Sequence, residues 1–257
     1  MADTLVSFAV DGHVARLTLD SRHNRNALSS ALVAQLRDGL RRAADDPATR
    51  AVVLGHTGGT FCAGADLSEA TGADPQSAAA VRAHELAALL RSIVECPVPV
   101  IGAIDGHVRA GGMGLVGACD IVIAGPRCSF ALTEARIGVA PAIISLTLLP
   151  KLSARAAARY CLTGEIFDSR RAAKIGLVTA TAEDVGFAVD TLTAELGKAS
   201  PQGLAASKAL TTAAVLAGFD RDAERLADES ARLFVSAEAR EGMLAFLEKR
   251  PPRWADG

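Results

Sequence analysis

The segment IGAIDGHVRAGGMGLVGACDIVIA, residues 101–124, decides the fold because it sets a glycine run between two apolar strands. Its Gly112-x-Gly114-x-x-Gly117 pattern is also found in turns that hold a dinucleotide pyrophosphate. Such a turn follows its strand at once, whereas here residues 105–110 intervene and no βαβ unit precedes them. The acid about twenty residues on, Glu134, follows CSFALT instead of ending a second strand. A dinucleotide site is therefore disfavoured.

The same glycines fit a different ligand. Glycines at the start of a helix leave backbone N–H groups accessible, and a helix N-terminus carries partial positive charge. A second glycine-containing stretch, FCAGADL at 61–67, also follows an apolar strand (AVVLGH, 51–56) and precedes a helical segment. One amide from each stretch would make an oxyanion hole, which stabilises an oxygen that gains negative charge during a reaction.

Strands and helices alternate around these two stretches. LVSFAV and HVARLTLD flank Asp11-Gly12 and predict a hairpin. Ser29 or Ser30 is expected to cap a helix over ALVAQLRDGLRRAADD, and VPVIGAIDG, ACDIVIAG and CSFAL read as strands. Helices dominate from Pro141 onward, with two or three more after residue 200. The pattern predicts one α/β domain with a helical C-terminal extension.

Composition excludes several classes of function. Of the 257 residues 50% are hydrophobic, and the net charge is −2 without a basic block, so nucleic acid is not an expected partner. No apolar run is long enough to span a bilayer, and the N-terminus lacks the features of a signal peptide, so we expect a cytoplasmic protein. Five cysteines without C-x-x-C spacing and five scattered histidines predict neither disulfides nor a metal site.

The motifs together resemble the enoyl-CoA hydratase/isomerase (crotonase) superfamily. The resemblance runs through HNRNALS (23–29), FCAGADL, residues 101–124, SFALTEARIGVAP (129–141), LTGEIFDSRRAAKIGLV (162–178) and EGMLAFLEKR (241–250). It implies an α/β fold of the ClpP/crotonase type, a spiral of ββα units over residues 1–199 that carries the CoA and acyl sites. Residues 200–257 would form a helical trimerisation region that also caps CoA, in a homotrimer or a dimer of trimers.

The resemblance also implies a site. The ligand would be an acyl-CoA, with coenzyme A entering as part of the thioester substrate and no separate cofactor. Ala65 and Gly111 would be the oxyanion donors, and Glu134 the general acid and base. Residues near CoA would be Arg25, Ala27, Ala63, Asp66, Leu67, Phe246 and Lys249; for Arg25 and Lys249, solvated surface charge is the alternative.

One position departs from the family pattern. Full hydratases of this family use a second glutamate three residues after the oxyanion glycine, where this chain has Gly114. Three functions stay open: hydration or dehydration with Glu134 alone, double-bond isomerisation with Glu134 moving a proton between C2 and C4, and acyl-CoA binding without turnover. The run RIGVAPAIISLTLLPKL is similar to members that act on branched or carboxylated enoyl-CoAs, such as the methylglutaconyl-CoA hydratase group.

Two residues just before the glycine run, Arg109 and His107, each have more than one expected role. The family usually has a small or apolar residue where this chain has Arg109, which is expected to meet a substrate carboxylate or a CoA phosphate, or else to pair with Asp105 or Glu134. His107 is a candidate proton carrier, with plain packing as the alternative. Asp120 is expected to be structural.

Overall fold

The computed structural model describes residues 3–69 and 75–255. In this part of the chain the strands form one sheet of six and one of four. Their bounds are β1 (Val6–Asp11), β2 (Val14–Leu19), β3 (Ala51–His56), β4 (Thr60–Cys62), β5 (Val100–Ile104), β6 (His107–Arg109), β7 (Ile121–Ala124), β8 (Ser129–Ala131), β9 (Phe167–Asp168) and β10 (Ala180–Thr181).

From β3 to β8, successive strands alternate between the two sheets, so this part of the chain follows a spiral. β3, β5 and β7 are neighbours in the larger sheet, whose order is β1-β2-β3-β5-β7-β10. β4, β6 and β8, which follow them along the chain, are neighbours in the smaller sheet, whose order is β4-β6-β8-β9. Within each trio the strands pair in parallel. The predicted α/β spiral is confirmed.

Helices connect and cover the strands. They are α1 (Ser30–Asp45), α2 (Pro75–Glu95), α3 (Gly111–Ala118), α4 (Ala142–Leu148), α5 (Ala154–Thr163), α6 (Ser169–Lys174), α7 (Val185–Leu196), α8 (Pro201–Phe234) and α9 (Ala237–Leu247). Short 3-10 helices cover Arg22–Asn24, Leu67–Glu69, Glu134–Ile137 and Arg253–Ala255. None of the helices within the described ranges is long and apolar enough to cross a membrane.

Local sequence signals at the N-terminus are confirmed. β1 and β2 pair antiparallel around Asp11-Gly12. Ser29 caps α1, because its side chain accepts a hydrogen bond from the amide of Leu32. One strand lies where the sequence predicts only a connection: β6 falls within residues 105–110 and pairs with β4 and β8.

A buried ion pair attaches the long helix α8 to the spiral. Lys208 Nζ lies 2.7 Å from Asp120 Oδ2, and their side chains are 4% and 15% exposed. The same ammonium donates hydrogen bonds to the carbonyl oxygens of Ile93 and Val98. Asp120 also accepts a hydrogen bond from the amide of Val100, which agrees with its expected structural role. The division of the chain at residue 199 stays a prediction.

Candidate active site

The predicted catalytic residues follow the ends of three neighbouring parallel strands. Ala65 lies shortly after β4, Gly111 shortly after β6 and Glu134 shortly after β8. Neighbouring strands in a sheet are about 4.8 Å apart, and ligands of parallel sheets commonly bind beyond the carboxyl ends of the strands. The topology therefore brings the three residues to one edge of the smaller sheet, with Gly111 just beyond β6, the middle strand of the three.

Two backbone amides at this edge have no partner in the described part of the chain. Leu28 pairs with Ala65 in an isolated parallel bridge, which uses the carbonyl oxygen of Gly64 and the amide of Asp66. The N–H of Ala65 therefore points away from Leu28, and no described residue accepts a hydrogen bond from it. Gly111 is the first residue of α3, so its N–H has no acceptor within the helix.

The two amide-bearing loops touch. Gly64 has φ +99°, and a Cβ added to it would lie 2.7 Å from Ala110 Cβ and 3.7 Å from the amide nitrogen of Gly111. Only glycine permits this approach and this backbone conformation. Ala110 itself has φ 46° and ψ −119°, a region that costs a non-glycine residue about 1–3 kcal/mol. The structure thus keeps a strained residue directly before the Gly111 amide.

Glu134 is a buried acid with one oxygen free. It is 8% exposed, and its Oε2 has no hydrogen-bond partner within the described ranges. Burial raises the pKa of Glu134 to about 7, and a hydrogen bond from its own backbone amide offsets part of that rise. A carboxyl group with this pKa can both accept and donate a proton near neutral pH.

Apolar side chains fill the space beside Gly114. A Cβ added there would lie 2.6 Å from Ile144 Cγ2 and 3.0 Å from Leu90 Cδ1. Ile144 is 3% exposed and Leu90 is fully buried. Nothing near Gly114 in sequence signals these contacts, because both residues belong to distant helices. A larger side chain at position 114 would therefore have to displace this part of the hydrophobic core.

The residues of the N-terminal half that are predicted to contact CoA lie, for the most part, close to one another. The amide of Ala63 donates to the carbonyl oxygen of Arg25, at 3.2 Å. Asn24 Nδ2 donates to Asp66 Oδ2, at 2.9 Å, and hydrogen bonds from Ser68 and Asn24 hold the pKa of Asp66 below its usual value. Arg25 is exposed and Ala27 is buried. Leu67 begins a 3-10 helix, and its side chain lies outside the described part of the structure.

Two residues near the C-terminus are also predicted to contact CoA, and they lie at or just beyond the end of the helix that packs against the segment beginning with Glu134. α9 packs on the 3-10 helix that Glu134 begins, since a Cβ on Gly242 would lie 2.5 Å from the carbonyl carbon of Ile137. Phe246 near the end of α9 is 63% exposed, and Lys249 just beyond it is exposed as well. Their contact with CoA stays a prediction.

Arg109 does not pair with either predicted acid. Its guanidinium donates to the carbonyl oxygens of Val108 and Ser129 and to Ser129 Oγ. Asp105 instead pairs with Arg127, and Glu134 Oε2 is unpartnered in the described residues. The expected ion pair of Arg109 with Asp105 or Glu134 is therefore wrong, because strand β8 supplies nearer oxygens.

His107 lies on the same strand as Arg109 and faces the same serine. Its Nδ1 is 2.8 Å from Ser129 Oγ, and its side chain is exposed. Elsewhere, ligand atoms of the exposed side chains His84, Glu224 and Asp228 lie within 4.8 Å of one another across α2 and α8. Exposed groups of this kind are common without a metal ion, so the absence of a metal site stays a prediction.

Comparisons with known proteins agree with this geometry. The family model described as "Enoyl-CoA hydratase/isomerase" matches residues 10–257. The crystal structure of an enoyl-CoA hydratase from Mycobacterium avium is 71% identical, with a TM-score of 0.93 over 98% of this chain and 100% of that chain. The mevalonyl-coenzyme A hydratase sidH of Aspergillus fumigatus is 32% identical over 257 residues, 97% of this chain and 94% of the relative. Human mitochondrial methylglutaconyl-CoA hydratase is 29% identical over 247 residues, 93% of this chain and 72% of the relative. The chain has the crotonase fold and belongs to the enoyl-CoA hydratase/isomerase family.

Proposed function

We propose that this protein is a hydro-lyase that adds water to, or removes it from, the double bond of a 2-enoyl-CoA thioester, with Glu134 as its single acid and base. The observation that carries the proposal is the buried Oε2 of Glu134, which has no hydrogen-bond partner in residues 3–69 and 75–255, at the sheet edge shared with Ala65 and Gly111. Family membership supports an acyl-CoA as the ligand.

The amides of Ala65 and Gly111 bind the thioester oxygen. Addition of water at C3 moves electrons toward this oxygen, which becomes the oxyanion of an enolate. Donors fixed in advance stabilise that charge more than the neutral carbonyl, and each is worth about 3–4 kcal/mol where measured in other enzymes. The absence of acceptors for both amides among the described residues supports this role.

Glu134 handles both proton transfers. Its carboxylate takes one proton from water as the water oxygen bonds to C3 and the π electrons move to the thioester oxygen. The same carboxyl group then delivers a proton to C2, which restores the thioester carbonyl. One water molecule is consumed and Glu134 returns to its starting state. Dehydration is the reverse sequence.

The CoA moiety lies along the surface that leads to this edge. Arg25, Ala27, Ala63, Asp66 and Leu67 bind it from one side, and Phe246 and Lys249 approach from the C-terminal helix of the same or a neighbouring subunit in a trimer or dimer of trimers. The hydrogen bond between the Ala63 amide and Arg25 supports a joint CoA surface for the first group. The high exposure of Phe246 supports its availability for a ligand or a subunit contact.

A second candidate reaction is the Δ3,Δ2-isomerisation of an enoyl-CoA. One carboxylate is sufficient for it, because Glu134 removes a proton from C2 and returns it to C4. The observation that favours it is the apolar filling beside Gly114, which closes the place where a second acid would orient water. The alternative that is not an enzyme is a protein that binds acyl-CoA without converting it.

The test uses two substrates and one variant. Crotonyl-CoA loses its 2-enoyl absorbance on hydration, whereas a 3-enoyl-CoA gains it on isomerisation; binding of both without turnover identifies a silent binder. The same assay with methylglutaconyl-CoA addresses the acyl group, since a relative is named for it. Glu134→Gln should abolish turnover and preserve CoA affinity, because it removes the proton carrier and keeps the shape. Unchanged rates in this variant would refute the role of Glu134.

A further inference from the structure

Leu28 contacts both loops that carry the proposed oxyanion donors. Its N–H donates to the carbonyl oxygen of Gly64, at 2.7 Å, and its own carbonyl accepts from the amide of Asp66, at 3.3 Å. Its side chain reaches the other loop, because a Cβ added to Gly111 would lie 2.7 Å from Leu28 Cδ1. One residue therefore holds the Ala65 loop by its main chain and meets Gly111 by its side chain.

The position of Leu28 is fixed from both directions along the chain. Before it, the buried side chain of Asn26 accepts from the amide of Ser21, at 2.7 Å, and donates to the carbonyl oxygen of Thr60, at 2.8 Å. After it, Ser29 caps α1. Leu28 itself is only 8% exposed. A residue anchored in this way can act as a spacer with little freedom to move.

We propose that Leu28 is a positioning residue that sets the separation between the Ala65 and Gly111 amides. The proposal rests on the proposed function of these two amides. Donors in an oxyanion hole must lie within about 2.7–3.1 Å of the developing charge, and a displacement of about 1 Å can cost roughly a hundredfold in rate. Leu28 does not touch the reacting atoms; it acts through the two amides that do.

The expected effect of shortening Leu28 falls on the reaction and not on CoA binding. In Leu28→Ala the main-chain bridge to Gly64 and Asp66 remains, so the Ala65 amide keeps its direction. The contact with Gly111 is lost, and the second amide is free to shift. The thioester oxygen then loses one donor in the transition state, whereas the CoA-binding residues are unchanged.

The experiment compares Leu28→Ala, Leu28→Met and Leu36→Ala. Leu36 lies in α1 and is fully buried. Leu36→Ala therefore removes the same side-chain atoms from the core and controls for the general effect of a cavity on stability. We expect kcat for crotonyl-CoA to fall roughly tenfold to a hundredfold in Leu28→Ala with KM nearly unchanged. Leu28→Met, which keeps the volume, restores most of the rate, and Leu36→Ala loses stability but keeps kcat at temperatures where it is folded.

A second readout needs no turnover. In the Glu134→Gln protein, which should bind crotonyl-CoA without converting it, the carbonyl ¹³C resonance of crotonyl-CoA labelled at C1 should shift on binding. The shift should shrink when Leu28→Ala is added and not when Leu36→Ala is added. A shift in Glu134→Gln that added Leu28→Ala leaves intact, or a loss of kcat in Leu36→Ala equal to that in Leu28→Ala, would overturn the role of Leu28 only. A Glu134→Gln complex without any carbonyl shift would overturn the oxyanion function and the role of Leu28 with it.

Discussion

Replacement of Gly114 by alanine tests whether the place of the second acid is closed. The new Cβ would lie 2.6 Å from Ile144 Cγ2, which is too short for two carbon atoms, and 3.0 Å from Leu90 Cδ1, which is tighter than most such contacts. Ile144 branches at Cβ within α4, so its methyl group has few alternative positions. Forcing extra volume into a packed core costs about 1–3 kcal/mol.

The matched control is Gly218→Ala in α8. Glycine in a helix is less stable than alanine by about 0.5–1 kcal/mol, and this gain is available at both positions. A Cβ on Gly218 would meet nothing within 4 Å. We therefore expect Gly218→Ala to raise the free energy of unfolding by about 0.5–1 kcal/mol and Gly114→Ala to lower it by about 1–2 kcal/mol.

Urea unfolding followed by circular dichroism measures both changes. The pair Gly114→Ala and Ile144→Ala completes a double-mutant cycle, because Ile144→Ala removes the methyl group that the new Cβ meets. The double variant should be more stable than the sum of the single effects by at least about 1 kcal/mol. If Gly114→Ala is as stabilising as Gly218→Ala, the space beside Gly114 is open and the reasoning that excludes a second acid there is refuted.

Three further predictions concern charge. The value of kcat/KM for crotonyl-CoA should rise with pH and level off above about pH 7, because Glu134 must be ionised to accept the first proton; initial rates between pH 5 and 9 measure this. Burial holds the pKa of Glu134 above its unfolded value, so its stabilising effect is complete below about pH 4.5 and is lost as the pH rises through about 7. The stability of Glu134→Gln relative to wild type should therefore grow by about 2–3 kcal/mol between pH 5 and pH 9 in denaturant titrations. Lys208→Met should lower the free energy of unfolding by about 3–5 kcal/mol, since it leaves the carboxylate of Asp120 without its buried partner; Asp120→Asn added to it should recover part of that loss.

Signals within a few residues of each other predicted the elements around the site correctly. Asp11-Gly12 between alternating strands fixed the hairpin, and Ser29 marked the start of α1. The glycines at 111–117 begin a helix as expected from their place after an apolar strand. These features depend on turn and capping chemistry, which is local and therefore readable from the sequence.

Contacts between distant segments account for what the sequence did not reveal. β6 has only three residues and owes its strand conformation to β4 and β8 on either side of it. Arg109 finds oxygens on β8 because that strand is its neighbour in space. The contacts of Leu28 with Gly111 and of Ile144 with Gly114 depend in the same way on how the spiral closes.

The raised pKa of Glu134 fits the proposal that one carboxyl group serves as both acid and base. A pair of carboxyl groups splits its pKa values, so that one is an acid while the other is a base. Gly114 supplies no carboxyl group for such splitting, and burial is the main cause that raises the pKa of Glu134, against a smaller opposite effect of its backbone hydrogen bond. In the proposed cycle both hydration and dehydration start from ionised Glu134, and a pKa of about 7 leaves about half of the groups in that form at neutral pH. With a pKa near 4.5 the carboxylate would be a weaker base, so in the proposed mechanism burial strengthens Glu134 as the proton acceptor while part of it stays ionised at neutral pH.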